Sequence, residues 1–385
     1  MKLIQQALML PVLLVSVYCS ATPPVSLDEL EKSGTLLQLN GRFEAVAAVE
    51  DVLLNQFEQP AGHIFALNTI VTLLTWDEAI TDYDLALQEH AATTLDWCTN
   101  RLESNRADAL ANYYCGQAHF ALSYFNGVRG NYYKAGRHGT ECIEYLEQAL
   151  AADPGLVDAK MHLGVAYFVA DNLPPFIRMF SRLLWFIPTG NSEKSLPYVR
   201  DVMTDGDLYR DVARYIYSFL LLEKGPDSWP EAQQELTTLV ESYPGNHRFQ
   251  LRLISLLLIR EQFEDTLVAA NRYLDSAYAP DEPEASLVRI WMVRAYLGTG
   301  NLPAARSLFD KIDPLLRDSV HELPDWSSSW HLLTRAQLQD LTAERRGALD
   351  TYRQIISTAG KTYVNPMIID AARAGLIAPY RMPTP

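Results

Sequence analysis

The side chains that could hold a metal or move a proton are present in this sequence, but not at the spacings such chemistry uses. Eight histidines stand at positions 63, 90, 119, 138, 162, 247, 321 and 331. A helix that hydrolyses bonds with zinc carries His-Glu-x-x-His, so that both rings share one face with the base between them. No such run occurs: His321-Glu322 is followed by Leu323-Pro324, and the proline would break the helix. A di-iron bundle would need Glu-x-x-His pairs, and there are none. His138 and Glu141 lie three apart and share a helix face. That spacing reads as a local hydrogen bond or a solvated pair rather than a ligand set, so neither a metal nor a cofactor is expected.

Nucleotide and nucleophile motifs fare no better. Ala359-Gly360-Lys361-Thr362 has the ending of a phosphate loop, but Ile355 stands where the opening glycine belongs. The segment also follows a helical pattern instead of a strand. There is no Gly-x-Ser-x-Gly elbow and no glycine-rich dinucleotide fingerprint. The carboxylates are too evenly spread to single out a catalytic pair.

One stretch is dense enough to weigh. Between Tyr113 and His138 stand Tyr113, Tyr114, His119, Tyr124, Tyr132, Tyr133, Lys134, Arg137 and His138. Aromatic rings beside cations can form a ligand or partner site. They serve equally as interlocking side chains of a long helix pair, and that reading comes first for most of them. Tyr132, Tyr133, Lys134, Arg137 and His138 are the candidate binding residues.

The elements that must position these groups are helices. Strand signals are scarce, and helical periodicity is broken at short intervals by Gly, Pro, Asn and Asp. Ser26-Leu27-Asp28-Glu29 is a capping box, predicting a first helix that ends near Asn40-Gly41. Val46, Val49, Leu53 and Phe57 then share one face of a second. The same turn chemistry recurs at Gly41-Arg42-Phe43, Asn131-Tyr132-Tyr133, Asn172-Leu173-Pro174 and Asn301-Leu302-Pro303. Each supplies a small turn residue and the start of a new helix, as between antiparallel helices. Helices are expected over about 80–103, 107–126 and 133–150.

These residues resemble the tetratricopeptide repeat, a unit of two helices with small residues at the crossing. The fullest match runs from Trp291 to Pro314, with Tyr296, Gly300, Ala305 and Phe309 at the family's spacing and Pro314 closing early. Leu163-Gly164, Tyr167, the Asn172 turn, Phe180 and Pro188 give a second. Pro230-Glu231-Ala232 through Leu236 to Tyr243-Pro244 gives a half-repeat, and Trp330, Leu333, Ala348 and Tyr352 a poorer copy. Residues 61–130 match the motif badly, and the helix after Asn131 is too long for a standard unit. More distantly, the chain is similar to exported bacterial proteins with these repeats and to a eukaryotic tetratricopeptide family linked to inclusion-body clearance. The resemblance implies an all-α solenoid, a right-handed curved stack of roughly eight or nine antiparallel pairs. It also implies a protein or peptide partner recognised by side chains of the inner face.

Composition permits this. The chain has 385 residues, 48% of them hydrophobic, enough for a large buried core. A formal charge of −15 argues against nucleic acid, which needs concentrated Lys and Arg. It suits a solvated acidic surface, or a basic partner. The expected organisation is a signal peptide (1–21), irregular helical repeats (22–155), tetratricopeptide-like repeats (156–365) and a C-terminal helix and tail (366–385). The functional expectation is a non-enzymatic interaction scaffold. The alternative is a small-ligand-binding protein or enzyme with a pocket in the N-terminal helical region.

Three cysteines would remain after removal of the first segment: Cys98, Cys115 and Cys142. Residues equidistant from a hairpin turn lie at the same height. By that rule Cys115 could face Cys98 across the turn near Asn105, or Cys142 across the turn from Gly127 to Gly130. Three buried free thiols are the preferred reading. If a bridge forms, Cys98–Cys115 is the expected pair.

Residues 1–21 carry Lys2, an apolar run from Ala7 to Val17, and Cys19-Ser20-Ala21. The run is shorter than the roughly 20 apolar residues that span a bilayer. Small residues at its end suit a signal peptidase, giving cleavage after Ala21 and a periplasmic or secreted protein. Tyr18 before Cys19 disfavours lipoprotein anchoring there, and no later segment is apolar enough to span a membrane. Mass spectrometry of the exported chain should therefore show an unmodified N-terminus at Thr22; a lipidated Cys19 or a retained Met1 would refute it.

Overall fold

The computed structural model describes residues 25–172, 190–359 and 364–383. The signal segment, with Cys19 and the cleavage point after Ala21, lies outside them, as do Leu173 to Pro188 and Gly360 to Thr362. The described residues form seventeen α-helices and no strand. The protein is an all-α solenoid of helices packed consecutively against their neighbours.

The N-terminal part comprises α1 (Leu27–Leu39), α2 (Phe43–Gln56), α3 (Ala61–Trp76), α4 (Asp84–Ser104), α5 (Ala109–Val128), α6 (Tyr132–Ala152) and α7 (Ala159–Asp171). Then follow α8 (Ser192–Asp205), α9 (Arg210–Lys224), α10 (Trp229–Ser242), α11 (His247–Ile259) and α12 (Phe263–Leu274). The last five are α13 (Glu284–Gly298), α14 (Leu302–Asp318), α15 (Asp325–Leu341), α16 (Arg345–Thr358) and α17 (Pro366–Ile377). Ser26 and Glu29 close the capping box of α1 in both directions. The helix expected to close at Pro314 instead continues through it to Asp318.

Five hairpins share one tight turn. In each, the middle residue of the turn is left-handed: Gly41, Gly130, Gly300, Glu261 and Ala343. In each, the next amide reaches back five residues to a carbonyl of the preceding helix, as Arg42 does to Leu37 at 2.9 Å and Gln262 to Leu257 at 2.9 Å. That bond satisfies a carbonyl the helix end leaves open and sets the two helices antiparallel. Glycine occupies the left-handed position at no steric cost. Glu261 and Ala343 hold it under strain.

Stacked repeats ordinarily touch only their neighbours. Here α3 breaks that rule. It carries no Asp, Glu, Lys or Arg and is buried nearly all round. Such a helix must be covered on every side. Gly62 packs on the backbone of Leu53 and Leu54, and Gln38 of α1 donates to Thr69 at 2.7 Å. Asn68 bonds the Tyr209 hydroxyl at 2.8 Å. Near its end, the Thr72 carbonyl accepts from Arg248 at 2.6 Å and the Trp76 carbonyl from the Trp326 indole at 3.1 Å. In the same way, the Leu39 carbonyl ending α1 accepts from Asn246 at 2.9 Å. The first hairpins thus close onto the starts of α11 and α15.

Cys98 of α4 and Cys115 of α5 are joined by a disulfide, with Cα atoms 5.9 Å apart. This overturns the preference for three free thiols. The two helices approach closely because Ala111 and the cysteines themselves are the residues at their contact, all fully buried. Bulkier residues there would hold the axes beyond bridging range. Cys142 is free and buried, and burial pushes its thiol well above the ordinary range.

Two outcomes follow. Asn246 both caps α11, accepting from Arg248 and Phe249 amides, and satisfies buried Leu39. Asn246→Ala should cost roughly 2–4 kcal/mol, the sum of a lost cap and a stranded carbonyl. Asn301 caps α14 without a distant bond, so Asn301→Ala should cost only about 1 kcal/mol. Denaturant titration would expose equal losses, which would deny the closure any energetic weight. Non-reducing peptide mapping should recover Cys98 linked to Cys115 and a single alkylatable thiol after unfolding; three such thiols would contradict the bridge.

Candidate functional site

The hairpin of α5 and α6 carries the candidate residues, and three features fix its position. Asp108 caps α5 by accepting from the Ala111 amide at 2.9 Å. Gly116 lies so close to Leu146 of α6 that a Cβ would overlap its side chain at 2.6 Å. At the turn, Arg129 grips Asp84 with two bonds of 2.8 and 2.7 Å and the Glu78 carbonyl at 2.6 Å, tying the hairpin to the start of α4. A bidentate, partly buried pair of this kind holds geometry better than an exposed one.

Helical periodicity splits the aromatic-cationic stretch into two populations. Tyr113, Tyr114 and Tyr124 of α5 belong to the core. Tyr132 and Tyr133 open α6 and are 67% and 51% exposed, beside exposed Lys134 and Arg137. His138, one turn after Lys134, reaches toward α5. Its Nδ1 lies 2.9 Å from Nδ1 of His119 on α5.

Glu141 completes the group. Its Oε2 is 3.2 Å from His119 Nδ1 and 3.4 Å from His138 Nδ1. Its other oxygen is held at 3.0 Å by Arg137. The ring of Tyr145 stacks on His119, centroids 5.4 Å apart and planes 7° from parallel. Burial holds His119 below its ordinary value, with Glu141 pulling against it, and burial lowers His138 likewise. Three electron-pair donors converge from two helices. Among the described residues no other His, Cys, Asp or Glu group places three such atoms so close together.

The spacing reading paired His138 with Glu141 and stopped there. The structure adds His119. The signal for it lay in the equal-height rule, since positions 119 and 138 are equidistant from the turn at Gly127 to Gly130, as 115 and 142 are. A related pair spans α3 and α4, where His63 and His90 bring Nδ1 atoms to 2.9 Å, but no carboxylate joins them. A shallow cleft beside His63 is lined by Leu53, Phe57, Pro60 and Trp97.

Among the described residues, no helix is long and apolar enough to cross a membrane. In comparison with known proteins, the sequence matches no family model and no curated protein.

Proposed function

We propose that the chain is an exported, non-enzymatic helical-repeat scaffold of the tetratricopeptide type that recognises a protein partner through the tip of the α5–α6 hairpin. The observation that carries this reading is the pair of exposed tyrosines, Tyr132 and Tyr133, set beside Lys134 and Arg137 on a rigid hairpin. Tyrosines supply large contact area at low entropic cost and concentrate at binding hot spots. Arg137 is paired with Glu141, so Lys134 is the cation at the tip, in a chain of net charge −15. It suits a partner segment that carries a carboxylate next to apolar side chains.

The inner-face reading implied by the resemblance is the neighbouring alternative, and a partner captured equally by the hairpin-tip variant would favour it. The Cys98–Cys115 disulfide supports an oxidising compartment, and hence export to the periplasm or beyond. The second reading, a small-ligand-binding protein or enzyme with its pocket in the N-terminal region, would use the cleft beside His63, which is smaller than ordinary ligand pockets.

Affinity capture of the mature chain from its own exported fraction tests the proposal. A reproducible protein partner should be retained by the wild type. It should be lost about thirtyfold in Tyr132→Ala/Tyr133→Ala/Lys134→Ala, the effect expected for removing a hot spot, with the circular dichroism unchanged. Undiminished capture by the triple variant would remove the hairpin tip as the contact. A metabolite that co-purifies in place of a protein would favour the cleft.

A further inference from the structure

We propose that His119, His138 and Glu141 form a binding site for a first-row divalent transition-metal ion, held by two imidazole nitrogens and one carboxylate oxygen. The inference is independent of the scaffold reading. It rests on the convergence of three donor atoms and on the supports around them.

Consider the triangle without an ion. Its edges are 2.9, 3.2 and 3.4 Å. A single Nδ1 proton can serve one edge and leaves lone pairs facing each other on the rest. Two Nδ1 protons would confront one another across the 2.9 Å edge. Neither arrangement satisfies all three atoms, and partly satisfied polar clusters are costly where water is scarce. A cation at the centre satisfies all three at once. It requires both rings to carry their proton on Nε2, and it requires them to turn: with centroids 5.2 Å apart across the 2.9 Å edge the Nδ1 lone pairs now face each other, so both rings rotate toward the ion as it binds.

The dimensions agree. A triangle with these edges has its centre about 1.8 Å from each atom, so an ion with bonds of about 2.0–2.2 Å sits roughly 1 Å above the plane. At such bond lengths the 2.9 Å edge matches octahedral and the 3.4 Å edge tetrahedral coordination, so the edges single out neither. Two nitrogens and one oxygen suit the zinc and iron part of the series, not calcium or magnesium, which take oxygen ligands. The remaining positions are left for water, and His138 and Glu141 are partly exposed on that side of the hairpin.

The surroundings are those of a positioned ligand set. Arg137 fixes one carboxylate oxygen at 3.0 Å and leaves the other directed at the rings. Tyr145 stacks on His119 and fixes its plane. The close crossing at Gly116 keeps the ligands of α5 and α6 in register. Partners of this kind orient ligands and contribute substantially to affinity.

The test uses the full purified chain, stripped with a chelator and dialysed. Titration with Zn²⁺ against a chromophoric chelator should show one ion per chain. Glu141→Gln, which keeps the shape of the side chain, and His138→Ala should each abolish that stoichiometric binding. Arg137→Ala should weaken it about tenfold, the usual effect of removing a ligand's hydrogen-bond partner. His63→Ala should leave it unchanged. Zn²⁺ should raise the Tm of the wild type and not that of Glu141→Gln, a readout that needs no partner and no activity. Co²⁺ separates the two geometries, since a four-coordinate site absorbs strongly in the visible and a six-coordinate site weakly; either spectrum, lost in His138→Ala, supports the site. Absence of one-to-one binding, or binding that survives both Glu141→Gln and His138→Ala in folded protein, overturns the proposal.

Discussion

Two carbonyls at helix ends, with a third one turn inside, govern how this chain is put together. A helix leaves its last carbonyls without partners, and they carry the negative end of its dipole. Leu39 of α1 and Trp76 of α3 end their helices and accept from Asn246 and Trp326, while Thr72, which also accepts from the Thr75 hydroxyl, accepts from Arg248. All three donors lie far along the chain at the starts of later hairpins. Arg248 is deeply buried to do so, and burial lowers it to about 10. At that value it is still charged at neutral pH, and its guanidinium lies over Phe43 and Trp76, 4.7 and 5.1 Å from their ring centres. Such cation–π contacts are worth most where water is excluded. A linear stack of consecutively packed helices is thereby also tied across its length, with α3 as the shared element.

Closure decides which parts of the surface remain available. The far hairpins cover the end of α3, while α4 to α6 project on a frame stapled by the Cys98–Cys115 disulfide and by the grip of Arg129 on Asp84. Cross-linking adjacent helices removes freedom from the unfolded chain and holds the folded hairpin in place. The same frame presents Tyr132 and Tyr133 outward and draws His119, His138 and Glu141 together on the adjoining side. Contact area and converging donors therefore come from one helix, α6, read on two of its faces.

The sequence revealed the local pieces and hid the long-range ones. Helix ends were legible because capping chemistry is local: the Ser26 box, the Gly41, Gly130 and Gly300 turns and the Asn301 cap all stand where the residues said. The turns at Glu261 and Ala343 were silent, because neither side chain announces a left-handed backbone. Residues 61–130 matched the repeat badly for a physical reason. A repeat helix needs one polar face, and α3 has none because it is enclosed by its own chain. The bridge between Cys98 and Cys115 depended on how closely two axes approach, which side-chain height cannot say. His119 stood in the dense stretch but was not grouped with His138 and Glu141, because motif searches look along one helix and this group spans two.

Hydrogen-exchange mass spectrometry of Trp76→Ala addresses the closure most directly. Trp76 packs against Trp326 and beneath Arg248, so its ring is common to α3 and to the starts of α11 and α15. If the helix-end carbonyls hold the stack closed, exchange should accelerate in α3 and, in the same experiment, in the first two turns of α11 and α15. An open array of nearest-neighbour repeats would confine the change to α2, α3 and α4, and that result would contradict the account.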